Sequence, residues 1–180
     1  VPVALALDRE DLPVLAVGGQ SSRIVGLDEH DRVRWTLDGS EDGGEPFGSI
    51  ASLFVDAEGR IFVADGTGVP AVRGYSSDGR RFLGFGAHEA GNENFSLPSS
   101  VATTADGRIW VLDTLRQVVQ VYDLRGAFLG RVGGLGQEAG AFYFPSALAT
   151  NGKTRLYVVE RVGARLTTFR ITEPLAQADP

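Results

Sequence analysis

The chain has 180 residues, a formal net charge of −6 and a hydrophobic fraction of 43%. This apolar content is enough for a core, and no run approaches the ~18 apolar residues of a membrane helix, so membrane insertion is not expected. The chain has no cysteine, which excludes disulfides, thiolate catalysis and cysteine-ligated zinc.

Four copies of one pattern follow each other along the chain. A weaker first copy begins at Pro2, which lies 48 residues before Ile50, and it places Val14–Val17 where the other copies have a second strand. The three clear copies begin at Phe47, Phe95 and Phe142. Each continues into a strand that a basic residue leads and an acid ends: Arg60–Asp65, Arg108–Asp113 and Arg155–Glu160. Such a period is typical of stacked or radial modules, because one copy cannot bury its own apolar face.

Each copy predicts short β-strands separated by turn residues. In the third copy the strands are Ser100–Thr103, Ile109–Leu112, Val118–Tyr122 and Ala127–Gly130. Aspartate and glycine occupy the breaks between them, which is turn chemistry. Four antiparallel strands in a period of about 48 residues predict a β-propeller blade, whereas a sandwich needs roughly 100 residues.

The sequence therefore predicts an all-β fold, a β-propeller of four-stranded antiparallel blades with four blades in this chain. The predicted blades cover approximately residues 1–46, 47–94, 95–141 and 142–172, and residues 173–180 are predicted to be a C-terminal tail. The fourth copy lacks an obvious outer strand.

The motifs in the third and fourth copies resemble those of the NHL-repeat family of β-propellers. Gly133–Pro145 is similar to the family's glycine-spaced entry to a blade, and Gly107–Asp113 with Gln117–Asp123 is similar to its second and third strands. The chain departs from the family at Val17 and Glu160, where an aspartate is usual. The resemblance implies a propeller that binds proteins, RNA or ligands, with a few enzymes among its members.

Four copies are few for this family. The resemblance implies about six blades, and propellers in general have four to eight. An open arc of four blades would expose strand edges and apolar flanks at both ends. Three explanations stay open: a fragment of a longer propeller, which we favour; a compact four-bladed ring; or partner subunits that cover the ends as an oligomer or larger complex.

The acids are concentrated on one face of the predicted propeller. Chain segments that join blades share a face with the turns after each second strand; we call this the link face, and its links are 38–48, 86–96 and 133–143. These links contain no lysine or arginine and hold seven acids: Asp38, Glu41, Asp42, Glu45, Glu89, Glu93 and Glu138. The opposite face, here called the turn face, carries mixed charges. The link face is thus expected to attract a protein with a basic surface; alternatively, its acids only solvate flexible loops.

Catalysis and nucleic-acid binding have little support in the sequence. The two histidines, His30 and His88, are predicted to lie on opposite faces, and the inner strands offer no carboxylate or histidine. Neither a metal nor a cofactor is therefore expected, and no catalytic residues are assigned. An acidic chain is also a poor binder of phosphates, so no nucleic-acid partner is expected.

The repeated acids Asp65, Asp113 and Glu160 are expected to stabilise the fold by accepting hydrogen bonds from backbone N–H groups in the turn that each acid starts. Departures from the repeat are better candidates for function. The predicted partner-binding residues are Glu41, Asp42, Glu45, His88, Glu89, Glu93, Arg116, Glu138 and Arg161. We expect a non-catalytic binding or assembly scaffold, an accessory subunit of a larger complex, with an extracytoplasmic location (periplasmic or secreted) favoured. The alternative is a fragment of an enzyme or ligand-binding propeller whose site is completed by missing blades.

Overall fold

A computed structural model describes residues 1–91, 94–162 and 164–172, with the backbone alone for residue 42. The predicted tail, 173–180, lies outside the described residues. Within them the chain forms β-strands and one short 3-10 helix, Glu41–Gly43. No helix in this part of the chain is long and apolar enough to cross a membrane.

The strands form four separate antiparallel sheets, and within each sheet the strand order follows the chain. The first sheet contains β1 (Pro2–Leu7), β2 (Pro13–Val17), β3 (Arg23–Leu27) and β4 (Val33–Leu37). The second contains β5 (Ile50–Val55), β6 (Ile61–Asp65), β7 (Val72–Tyr75) and β8 (Arg81–Phe85). The third contains β9 (Pro98–Thr103), β10 (Ile109–Asp113), β11 (Val118–Tyr122) and β12 (Phe128–Gly133), and the fourth contains β13 (Pro145–Thr150), β14 (Arg155–Glu160) and β15 (Arg165–Arg170).

These sheets are the blades of a β-propeller, as the sequence predicts. The fourth sheet has three strands within the described residues. Strand boundaries in the third copy differ from the prediction by one to three residues, and the largest difference is that β12 continues to Gly133 instead of ending at Gly130. Backbone pairing of Arg131, Val132 and Gly133 with β11 extends this outer strand into the segment predicted to begin a link.

The apolar core lies between neighbouring blades and not inside any one of them. Strands β6, β10 and β11 are buried along their whole length because blades cover both of their faces, whereas the outer strand β12 alternates between exposed and half-buried residues. Each entry phenylalanine packs edge-on or tilted against an aromatic residue of its own blade's third strand. The pairs are Phe47–Tyr75, Phe95–Tyr122 and Phe142–Phe169, with ring centroids 6.0, 5.8 and 5.6 Å apart. These rings lie in apolar clusters that each combine residues of two neighbouring blades.

The four blades form an open arc. Inner strand β1 packs against β5, β5 against β9 and β9 against β13, with no packing of similar extent between β13 and β1. Large apolar residues at both ends are exposed, among them Leu5 on the first blade and Leu166 on the fourth. The chain thus does not adopt the compact four-bladed ring, one of the three explanations above.

Candidate partner-binding surface

The link face is assembled by hydrogen bonds between each link and a turn of the blade that it enters. Backbone N–H groups of Gly66, Thr114 and Arg161 donate to the carbonyls of Ser49, Leu97 and Phe144 at 2.8, 3.0 and 3.0 Å. Each turn after a second strand is therefore fixed beside the end of the incoming link. The links and these turns form one continuous surface.

The charges of the turn face are largely paired within single turns. The Asp28 carboxylate accepts the backbone N–H groups of His30 and Arg32 and lies 3.1 Å from the Arg32 guanidinium. The Arg32 N–H and the other bonds lower the pKa of Asp28. Arg60–Asp56, Arg80–Asp78, Arg108–Asp106 and Arg125–Asp123 are equivalent ion pairs. These turns therefore neutralise much of their own charge, whereas the fourth blade's turn carries the exposed cations Lys153 and Arg155 and no acid.

The repeated acids stabilise the fold by accepting backbone hydrogen bonds, as predicted, but their shared partners lie in the incoming link and not in the turn that each acid starts; only Asp65 and Asp113 have described bonds to their own turns. The buried Asp65 carboxylate accepts backbone N–H groups from both Gly48 and Ser49, at 2.8 and 2.9 Å. Asp113 accepts those of Ser96 and Leu97, and Glu160 accepts that of Tyr143 at 2.8 Å. Each acid therefore holds the end of the link that enters its blade.

An arginine of the same blade holds the rest of each link through main-chain carbonyls. Arg73 donates to the carbonyls of Glu45 and Pro46, Arg116 to those of Glu89 and Gly91, and Arg165 to those of Gln137 and Ala141. Their guanidinium groups also lie 3.8, 3.5 and 2.8 Å from Asp65, Asp113 and Glu160. The links contain no basic residue of their own, yet a blade arginine braces each of them.

The contact with Arg165 also lowers the pKa of Glu160 beside the last link. Burial alone would raise the pKa of the Glu160 carboxyl, but hydrogen bonds from Arg165, the Tyr143 N–H and the Thr167 hydroxyl outweigh it and lower that pKa. Glu160 is thus ionised over the whole neutral range. Its charge is used within the protein and is not presented to a partner.

Three of the predicted partner-binding residues lie together. His88, Glu89 and Arg116 line a shallow cleft between the second and third blades, with Phe95 and Ser96. Two of them are engaged in the fold: His88 Nε2 lies 3.0 Å from the Gly68 carbonyl oxygen, and Arg116 binds link carbonyls as described above.

The other predicted residues are spread over the link face. Glu41 accepts the backbone N–H groups of Asp38 and Gly39 in its own link, and Glu138 accepts that of Gln137. The side chains of Glu45 and Glu89 are exposed, and their carboxylates have no described hydrogen bond. Glu93 and the side chain of Asp42 lie outside the described part of the chain.

Exposed apolar side chains are the feature that the sequence analysis missed. Six large ones lie on the link face: Val69, Leu97, Leu115, Leu135, Phe144 and Val162, with exposed fractions between 37% and 68%. Among the described residues, the turns of the turn face contribute none themselves, although Leu7 and Val33, at strand ends beside the turns of the first blade, are 53% and 62% exposed. A signal was present, because each of three otherwise polar turns contains one such residue: Val69, Leu115 or Val162.

Three of these apolar side chains line one groove between the third and fourth blades. Its walls are Leu97, Ser99, Thr114, Phe144, Pro145, Ser146, Arg161 and Val162, and its volume is about 260 Å³. This lies below the roughly 300–1,000 Å³ of small-molecule pockets and suits one or two side chains of a partner. Arg161, a predicted partner-binding residue, is exposed at this groove. The groove adjoins the His88 cleft, since Ser96 and Leu97 are consecutive.

Metal-ligating side chains are not grouped in the part of the chain that the structure describes. There, no three histidine, aspartate or glutamate side chains lie close enough together to hold a metal ion.

Comparisons with known proteins support the fold. No family model matches the chain, and no curated protein matches it. A protein of unknown function from Bacteroides thetaiotaomicron superposes with a TM-score of 0.68 at 15% identity, over 94% of this chain and 47% of its own. Catalytically inactive virginiamycin B lyase from Staphylococcus aureus with quinupristin gives 0.65 at 12%, over 96% and 56%, and the RRP9 WD40 repeats give 0.59 at 12%, over 93% and 50%. The chain spans about half of the length of these structures, and the likeness shows the β-propeller fold alone.

Proposed function

We propose that the chain is a non-catalytic scaffold that binds a protein partner through its link face. The observation that carries the proposal is the uneven distribution of exposed apolar side chains: six lie on the link face, whereas the described turns of the opposite face hold none and the strand-end residues Leu7 and Val33 are exposed beside them. Exposed apolar groups that gather on one face of a soluble domain typically mark an interaction site.

The groove between the third and fourth blades is the proposed anchor point. Its volume suits a leucine- or phenylalanine-sized side chain, and Leu97, Phe144 and Val162 provide apolar walls. Burial of such an anchor in a water-excluding pocket supplies most of the energy in many protein interfaces. Arg161 stands at the wall, where it can donate to a carbonyl or carboxylate of the partner.

The partner is expected to carry basic residues around its apolar anchor. The carboxylates of Glu45 and Glu89 are exposed and are free to pair with lysine or arginine. Such rim charges mainly speed association and select partners, and salt weakens their effect. Most acids of the turn face, in contrast, are already paired with an arginine.

Peptide binding tests this proposal. An immobilised library of short peptides, each with one leucine, phenylalanine or tryptophan among varied numbers of lysines, arginines or glutamates, is probed with the labelled chain. We expect binding by peptides that combine the apolar anchor with basic residues, and weaker binding at high salt. The variant Phe144→Glu should bind the best peptides at least about tenfold more weakly, because it places a charge in the anchor pocket.

The matched control is Leu129→Glu, which changes a residue that is 55% exposed on β12, away from the links. It should bind as the wild type does. Equal binding by the wild type and Phe144→Glu, or a preference for acidic peptides, would contradict the proposal.

A further inference from the structure

A pocket lies between the outer strand of the first blade and the second blade. Its volume is about 410 Å³, which is within the roughly 300–1,000 Å³ of small-molecule sites. Trp35, Leu37 and Ile61 form its apolar walls. Glu41 of the first link and residues 77–79, in the turn between β7 and β8, complete the lining. We call this cavity the Trp35 pocket.

The corresponding space between the second and third blades is filled by side chains. Phe85, Leu124 and Phe128 pack there against the apolar cluster that the two blades share. The centroids of the Phe85 and Phe128 rings lie 4.4 and 5.6 Å from that of Tyr122. These three side chains occupy the outer part of that junction.

The junction of the first and second blades has a smaller or a polar residue at each of the same three positions. By strand register and position in the turn, the replacements are Leu37 for Phe85, Ser77 for Leu124 and Arg81 for Phe128. The Arg81 guanidinium lies against the backbone of Gly44 in the first link, and Arg81 does not line the pocket. The Trp35 pocket is therefore a space that this junction leaves open and the next one fills.

The aromatic wall of the pocket is held in place by a glycine of the neighbouring strand. Gly26 of β3 pairs with Trp35 across the sheet, and a Cβ at residue 26 would overlap the indole ring. The Trp35 side chain is half-buried and still lines the pocket. Tryptophan is the side chain that attracts cations most strongly through its ring face.

The charged residues of the lining are acidic. Glu41 and Asp78 line the pocket, and none of its described lining residues is basic. Glu41 accepts two N–H groups of its own link. A hydrogen bond from the Ser76 hydroxyl lowers the pKa of Asp78, which also lies 3.2 Å from the Arg80 guanidinium. The Arg80 side chain is 79% exposed, so water and salt screen its charge, and both carboxylates keep lone pairs for a further donor.

We propose that the Trp35 pocket binds a small organic ammonium ion that carries an apolar group. The ammonium group lies against the indole, where the ring quadrupole and the two carboxylates attract it. The apolar group covers Leu37 and Ile61. A free ligand fits better than one lysine side chain of a protein, because the pocket is larger than the 260 Å³ groove that suits one or two side chains. No residue lines both cavities, so this inference and the proposed function fail independently.

Tryptophan fluorescence tests the site, with benzyltrimethylammonium as the probe. The chain has two tryptophans, and Trp110 is only 5% exposed, so a saturable change in emission reports on Trp35. Benzyltrimethylammonium should bind at least about tenfold more tightly than benzyl alcohol or phenylacetate, which have the ring without the positive charge. Its binding should weaken at high salt. N-acetyl-lysine amide, which represents a lysine side chain, should bind more weakly than the probe.

Ser77→Leu tests whether the open space is the binding site, because it supplies the residue that fills the equivalent position of the third blade. It should lower the affinity for the probe at least about tenfold and leave Tm unchanged or higher. Asp78→Asn, at an exposed turn residue, should weaken binding about three- to fivefold. Glu89→Gln, which removes an exposed carboxylate outside the pocket, is the matched control and should bind as the wild type does.

Four results would overturn the proposal. They are no saturable binding of the probe, equal binding of phenylacetate, tighter binding of N-acetyl-lysine amide, and unchanged affinity in folded Ser77→Leu. If Ser77→Leu does not fold, Asp78→Asn decides, and equal losses in Asp78→Asn and Glu89→Gln would overturn the proposal because they would reflect net charge alone.

Discussion

Replacement of Arg73 by alanine should destabilise the protein more than replacement of either of the other two arginines that hold the links, Arg116 and Arg165. The Arg73 side chain is fully buried and donates to carbonyls of Glu45 and Pro46 in the link and of Pro70 in its own blade. Its guanidinium also lies 3.8 Å from the buried Asp65 carboxylate and 4.8 Å from the centre of the Phe47 ring. Alanine removes all of these contacts at once.

The expected loss of unfolding free energy follows from the Asp65 carboxylate, which stays buried when Arg73 is removed. Removal of one member of a buried ion pair costs about 3–5 kcal/mol, because the other charge stays buried without compensation. Asp65 keeps its backbone N–H donors, so about 4 kcal/mol is expected. For a protein of this size each kcal/mol lowers Tm by about 2–4 °C, and Tm should therefore fall by about 8–16 °C.

Arg116→Ala is the matched comparison, since Arg116 has the same role in the third blade but is 22% exposed. Water can replace part of what Arg116 donates, so about 1–2 kcal/mol is expected. Arg165→Ala should cost still less, because Arg165 is 34% exposed.

Urea unfolding followed by far-UV circular dichroism measures the series, with Arg73→Met included to keep an aliphatic stem over the Phe47 ring. The reasoning is refuted if Arg73→Met is as stable as the wild type. Equal losses for Arg73→Ala and Arg116→Ala would refute it as well.

Two further predictions concern the last link and a blade junction. Because hydrogen bonds lower the pKa of Glu160 below its ordinary value of 4.5, the stability that it provides is complete above pH 4.5 and is lost as pH falls through the lower folded pKa. Glu160→Gln should flatten this acid dependence in urea unfolding, and an unchanged dependence would exclude the assigned role. Gly86→Ala should destabilise by about 2–4 kcal/mol, because its φ is +79° and a Cβ would lie 2.3 Å from the Phe95 ring. Gly43→Ala is the control, because Gly43 has a similar φ of +75° but no atom near the added Cβ. It should cost only the strain of a positive φ, about 1–2 kcal/mol. Thermal unfolding measures both variants, and equal falls in Tm would show that the Phe95 contact is unimportant.

The fold was predictable because its signals are local and repeated. The runs that end at Asp65, Asp113 and Glu160 form second strands in successive blades, as the local pattern predicts, whereas the link partners of these acids, 17 residues earlier, were not predicted. Repetition reinforced a pattern that is weak in any single copy.

The candidate surface was only partly predictable, because exposure and pairing depend on residues distant in the chain. Arg116 looked free in the sequence, but its partners Glu89 and Gly91 lie 27 and 25 residues earlier. Phe144 was not among the predicted partner-binding residues, and only the packing of the third and fourth blades shows that it lines a groove. The sequence predicts that Glu45 and Glu89 lie in the links, but only the structure shows that their side chains are exposed.

The arginines that brace the links contact main-chain carbonyls, which every amino acid supplies. Arg73, Arg116 and Arg165 therefore fix the path of each link without dictating its side chains. Mutation can then change the outward residues of a link while its backbone keeps its shape. A chain built in this way is a suitable starting point for loop grafting, in which new recognition sequences are inserted into the links and the blades are left unaltered.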